Sequence, residues 1–177
     1  MSHTSPAVDP LERRWPSTSA DDELRLQWEF LAFLRVTVVN KIAGLDIDQA
    51  AATPLPTSPF MSLAGVVKHL TAVERFWLSI VGGGSDLPSL WVADDVTAEW
   101  RVGEGDTPAG VVAAYRAQWS LSERALAHRS AGDRAARSVD GEEHTVRWLL
   151  SHVIQETARH VGHMDVLREM ADGTRGE

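Results

Sequence analysis

The sequence predicts an all-α protein, a four-helix bundle with a long connection between its second and third helices. Three observations carry this. Apolar residues recur at steps of three and four along four long segments. No stretch alternates apolar and polar residues at the period of two that a half-buried strand requires. One long connection separates the second and third of these segments, and capping residues and helix-stopping glycines mark their ends. At 177 residues the chain fits one domain with room for a sizeable core. The expected boundaries are an irregular N-terminal arm over residues 1–18 and a single bundle domain over residues 19–177.

In the arm, Pro6, Pro10 and Pro16 stand among polar residues, and Trp15 is a candidate to dock on the bundle. Helix one is expected from near Ser19, with Asp21, Asp22 and Glu23 in the first turn complementing the macrodipole. Its stripe is Leu24, Trp28, Leu31, Leu34, Val38 and Ile42, and Gly44 ends it. Residues 46–60, with three prolines, read as a connection. Helix two opens at Ser62 as N-cap and runs to Gly82, Gly83 and Gly84, with Val66, Val73, Phe76 and Ile80 at core spacing. Those glycines follow a helix rather than a strand, so they read as a stop and not as a phosphate cradle.

Residues 84–106 form a connection of over twenty residues without a clean period, a length that compact domains keep mainly for loops with a job. Trp91, Trp100 and Arg101 are its candidates for ligand contact; the alternative for the tryptophans is to pin the loop to the bundle. Helix three takes Thr107 as cap and Pro108 in its first turn, and continues through Val111, Tyr115, Gln118, Ser122 and Leu126 to about Ser130. A polar connection over 131–143, with a short extended piece at Ser138–Asp140, leads to helix four, Thr145 to Gly173.

Charge and composition narrow the function. The net charge of −8 with scattered basic residues argues against a nucleic-acid partner. No apolar run approaches a membrane span, and the first twenty residues lack the apolar stretch of a signal peptide, so a cytoplasmic protein is expected. There is no cysteine, which excludes disulfides, thiolate ligands and an internal cysteine nucleophile; thiol chemistry would need a thiol from solution. Zincin helices, nucleophile elbows, phosphate loops and EF-hand loops are all missing.

Helix four carries acid and imidazole where its apolar face should be buried. Leu149, Val153, Glu156, His160, His163 or Met164, and Leu167 follow one another at helical spacing. At about 100° per residue, Glu156, His160 and His163 lie within roughly 40° of one another. A carboxylate buried without a partner costs several kcal/mol, so a cation or a metal should accompany it. On helix two, His69 occupies the core stripe between Val66 and Val73. Taken together, His69, Glu156 and His160 make a divalent-metal set with at least one coordination position open; it suits zinc, and also nickel or ferrous iron. Taken alone, His69 reads more readily as a hydrogen-bonded core or boundary residue, and the Glu156–His160 pair as a common helical spacing. His152 and His163 flank the pair as further ligands, orienting partners or acid/base groups. His3, His128 and His144 fall on polar or terminal segments and are expected to be solvated.

VVKHLTAVERFW on helix two together with HVIQETARHVGHMDVLRE on helix four resembles the DinB-like, or YfiT-like, metalloenzyme superfamily, in particular its actinobacterial branch near mycothiol-dependent maleylpyruvate isomerase and the mycothiol S-transferases. The likeness runs from about residue 20 to 173. It implies a four-helix bundle with a divalent metal at its open end, held by His69, Glu156 and His160, and a low-molecular-weight thiol such as mycothiol as cosubstrate on that metal. Many relatives carry histidine at the position of Glu156 and glutamine at that of His163; glutamate matches the isomerase-like branch. The implied activity is thiol S-transfer to a small electrophile, with thiol-dependent isomerisation as the alternative and a non-catalytic metal- or ligand-binding bundle as the second alternative. Arg101 and Trp100 would contact the thiol or the electrophile. Family members often pair through bundle faces, which leaves a homodimer open.

Overall fold

A computed structural model of the chain describes residues 7–176; His3 and Pro6 lie outside the described residues. These residues form an all-α bundle. Helix α1 spans Glu23–Ile42. It starts later than Ser19 because the Asp22 carboxylate takes the cap, accepting from the Arg25 N–H at 2.7 Å, while the Ser19 hydroxyl faces that of Ser17. The preceding arm is irregular but tied down. Leu11 donates its N–H to Asn40 Oδ1 at 2.7 Å and accepts from Asn40 Nδ2 at 2.9 Å, and Val8 is buried in the core. Trp15 packs its ring 4.5 Å from that of Phe33 yet stays 75% exposed.

The connection after α1 is not wholly irregular. Asp46 and Gln49 form a reciprocal capping box that starts a short helix α2, Ile47–Ala51, which sequence periodicity could not show in so few residues. Helix α3 spans Leu63–Glu74 with Ser62 as cap, and continues as a π-helical segment over Arg75–Gly82. The widened turns come where the chain must meet two helices closely. A Cβ at Gly83 would sit 2.6 Å from that of Ala125. Helix α4 spans Pro108–Leu126 behind its Thr107 cap, and α5 spans Val146–Asp172 from Thr145 to a left-handed Gly173. Helix α4 stops four residues short of Ser130. In the following connection Val139 and Glu142 pair across a tight turn at Asp140 and Gly141, both with positive φ.

Helices α1 and α5 pack along each other, α3 packs on α4, and α3 against α5 closes the bundle. Two apolar clusters fill it. One gathers Val38, Ile42, Leu63, Val66, Leu70, Tyr115, Met164 and Leu167; the other gathers Leu31, Val73, Leu78, Leu126, Leu149, Leu150 and Val153. At the level between them runs a polar layer. Arg35 grips Glu74 with two bonds, Nη2 to Oε2 at 2.6 Å and Nε to Oε1 at 3.0 Å, both side chains fully buried. Ser122 donates to the same carboxylate, Gln118 donates to Ser79 and Ser122, and the guanidinium lies against the Trp28 and Trp119 rings. Among the described residues no helix is long and apolar enough to cross a membrane.

Candidate metal centre

His69 leaves α3 one turn after the buried Gly65–Val66 step, and Glu156 and His160 leave successive turns of α5, so the packing of α3 on α5 decides whether they meet. They do: each offers one ligand atom, and the three atoms lie within 4.8 Å of one another. The His69 and His160 rings meet edge to face with centroids 4.8 Å apart. His160 Nε2 is 3.6 Å from Glu156 Oε2.

The site is largely shielded from solvent. His69 and His160 are about a tenth exposed, and neither nitrogen of the buried His69 ring has a hydrogen-bond partner. An unsatisfied buried imidazole is costly in a finished fold, and two neutral imidazoles with a carboxylate are the donor chemistry of a divalent ion. The residues therefore fit a metal.

Electrostatics point the same way. Burial, and then the neighbouring His160, push the His69 pKa from 6.5 down to about 3; burial, then His163 and Arg159, push that of His160 to about 4. Both rings are neutral at neutral pH, the state in which imidazole ligates. The unfolded chain takes up these protons near pH 6.5 and the fold does not. Stability of the metal-free protein is therefore complete above pH 6.5 and falls as pH drops toward 4, by up to about 1.4 kcal/mol per pH unit for each histidine. Urea unfolding across that range should show the decline, with a shallower slope for His69→Ala; a flat profile would contradict the burial of neutral rings.

The other candidates divide. His163 Nδ1 lies 3.3 Å from His160 Nδ1, so one ring donates to the other. His152 is one turn before Glu156, stacked on Trp148 at 5.0 Å with Trp77 at its edge, and burial lowers its pKa. His144, expected to be solvated, is half-buried: its ring stacks on Trp148 at 4.2 Å, where the connection folds back over the start of α5. His128 is exposed.

From the long loop, a 3-10 turn at Ala98–Trp100 lays the Trp100 ring flat on His69, 3.9 Å between centroids and 14° between planes. The seat is Gly65, where a Cβ would come within 2.7 Å of the Trp100 carbonyl oxygen. Lys68 and Asp106, 2.6 Å apart, fasten the end of the loop to α3. Trp91 packs on Phe76 at 4.4 Å. Arg101 turns away, paired with Asp95 and bonded to Thr97. It is half exposed, beside a cleft that Trp100 also lines.

Sequence reasoning missed Glu99. Its side chain is 8% exposed and its Oε1 lies 3.5 Å from His69 Nδ1. It also borders two cavities. One, of 330 Å³, is lined by Lys68, Thr71, Arg75 and Asp106; the other, of 450 Å³, is lined by Phe76, Trp91, Val92 and Val96. The π-helical segment supplies Arg75 to the first and Phe76 to the second. The signal available was the adjacency of Glu99 to Trp100 in an aperiodic loop, which does not say that either is buried.

Comparison with known families matches residues 27–173 to a family described as mycothiol-S-transferase. No curated protein and no solved structure is matched.

Proposed function

The chain belongs to the mycothiol-S-transferase family, and on that premise we propose that it is a divalent-metal-dependent S-transferase that joins a low-molecular-weight thiol, mycothiol, to a small electrophile. The observation that carries the metal dependence is the convergence of His69, Glu156 and His160 ligand atoms within 4.8 Å in a site where neither nitrogen of His69 has a hydrogen-bond partner. These three residues would hold the ion, with zinc the first candidate and nickel or ferrous iron compatible with the same donors. Such an ion acts as a Lewis acid that favours the thiolate form of a thiol at neutral pH.

The chain itself has no cysteine, so the nucleophilic sulfur arrives with the cosubstrate. Transfer makes one S–C bond; the thiol proton goes to a base and the electrophile's leaving group departs with its bonding pair. His163, bonded to the His160 ring, holds that ring's orientation and is the group placed to exchange the proton with solvent. Trp100 shields His69 from water, which strengthens every charge interaction inside the site. The cavity lined by Lys68, Arg75 and Asp106 suits the polar body of the thiol, and the aromatic one beside Phe76 and Trp91 suits an apolar electrophile. Trp100 and Arg101 remain the proposed loop contacts; Arg101 meets an anionic group only by exchanging Asp95 for it.

Isomerisation with the thiol as a recycled catalyst is the second reading, favoured by the glutamate at 156. Incubation with mycothiol and a panel of electrophiles separates the two. Net loss of thiol with a conjugate formed is the expected result. Rearranged substrate with thiol unchanged would move the assignment to an isomerase. Absence of both, with no thiolate charge-transfer band when thiol is added to the cobalt-loaded protein, would leave a non-catalytic metal-binding bundle.

A further inference from the structure

Two buried polar groups face each other where the long loop meets α3, and neither is satisfied. Glu99 Oε1 stands 3.5 Å from His69 Nδ1, Glu99 Oε2 has no partner, and neither has the His69 ring. A carboxylate in such a place needs a proton donor. Among the described residues, no lysine or arginine pairs with Glu99; the imidazole is its one ion-pair contact. A shift of about 0.5 Å brings the two to an ordinary hydrogen-bond length. The loop is built to hold this register, since Trp100, the next residue, is stacked on the same ring and its carbonyl is seated at Gly65.

We propose that Glu99 is a positioning residue for the metal centre: it accepts from His69 Nδ1–H, fixes the ring in that tautomer, and so leaves the Nε2 lone pair for the ion. The inference rests on the metal-dependent reading above. A carboxylate behind a ligating imidazole sets the ring's orientation and raises its basicity. Direct ligation by Glu99 is the competing role. It is disfavoured because the carboxylate is not among the atoms that converge within 4.8 Å.

The test uses the full-length protein with 15N-labelled histidine, first metal-free and then titrated with Co²⁺ against a competing chelator. Parent, Glu99→Gln, Glu99→Ala and His69→Ala are compared. In the metal-free parent, long-range 1H–15N spectra should show His69 protonated at Nδ1; in Glu99→Ala the proton should move to Nε2. Co²⁺ affinity should fall about 10–100-fold in Glu99→Ala and by less in the isosteric Glu99→Gln, which keeps an acceptor oxygen and the loop's packing. A parent ring protonated at Nε2, a tautomer indifferent to Glu99→Ala, or an affinity left at the parent value in that variant would each overturn the proposal. Failure of the metal reading looks different. A parent that binds no Co²⁺, or His69→Ala binding as well as the parent, sinks that reading while the tautomer spectra still decide the role of Glu99.

Discussion

Replacing His69 or His160 with alanine is expected to give a folded bundle that retains no metal and consumes no thiol, whereas the parent purified without added metal should carry close to one divalent ion per chain. The loss should exceed the roughly 10–100-fold typical of residues that only orient a ligand, because each substitution removes a donor from a set of three. Folding should survive, and for a specific reason. His69 is a desolvated ring without a hydrogen bond, and truncating an unsatisfied polar group removes a cost as well as a contact. Elemental analysis beside far-UV circular dichroism checks both halves. Metal at parent levels in either variant would remove the basis for a metal-dependent transferase.

The second large effect concerns stability alone. Arg35→Ala or Glu74→Ala leaves one charge of a fully buried, doubly bonded pair without its partner. Such a loss costs about 3–5 kcal/mol, or roughly 6–20 °C in Tm for a chain of this size. The double replacement Arg35→Met with Glu74→Leu should lose much less, since no isolated charge remains and the volume stays filled. Glu123, the exposed second acceptor of Arg35, should matter by under about 1 kcal/mol. Thermal unfolding of the parent beside these variants decides it. Equal destabilisation by the single and double replacements would mean that packing against Trp28 and Trp119, not charge pairing, holds the layer.

The fold was legible because its signals are local. Ser62, Thr107 and Thr145 cap where a short polar side chain precedes an apolar period, and Gly44 and Gly173 end helices at positive φ. The convergence of the three candidate ligands was legible because Glu156 and His160 share a face and His69 interrupts an apolar stripe. What was hidden depends on contacts between segments far apart in sequence. Arg35 falls on the spacing of Leu31 and Val38, yet its burial is intelligible only with Glu74 opposite. Gln118 and Ser122 stood in the predicted stripe of helix three, and their polarity makes sense beside the same pair. Glu99 lies in a loop whose path follows from Gly65 and Trp100, a fit that no periodicity encodes.

That fit divides the site into parts of unlike origin. The donors at 69, 156 and 160 are mounted on long helices, whereas Glu99 and Trp100 ride on a strap that touches down in a notch the size of a single hydrogen atom. The clefts bordered by Glu99 thus follow the path of the strap, while the positions of residues 69, 156 and 160 follow the packing of α3 on α5. The constraint is narrow: any other residue at 65 would bring a Cβ to 2.7 Å from the Trp100 carbonyl oxygen and unseat the strap together with the ring stacked on His69.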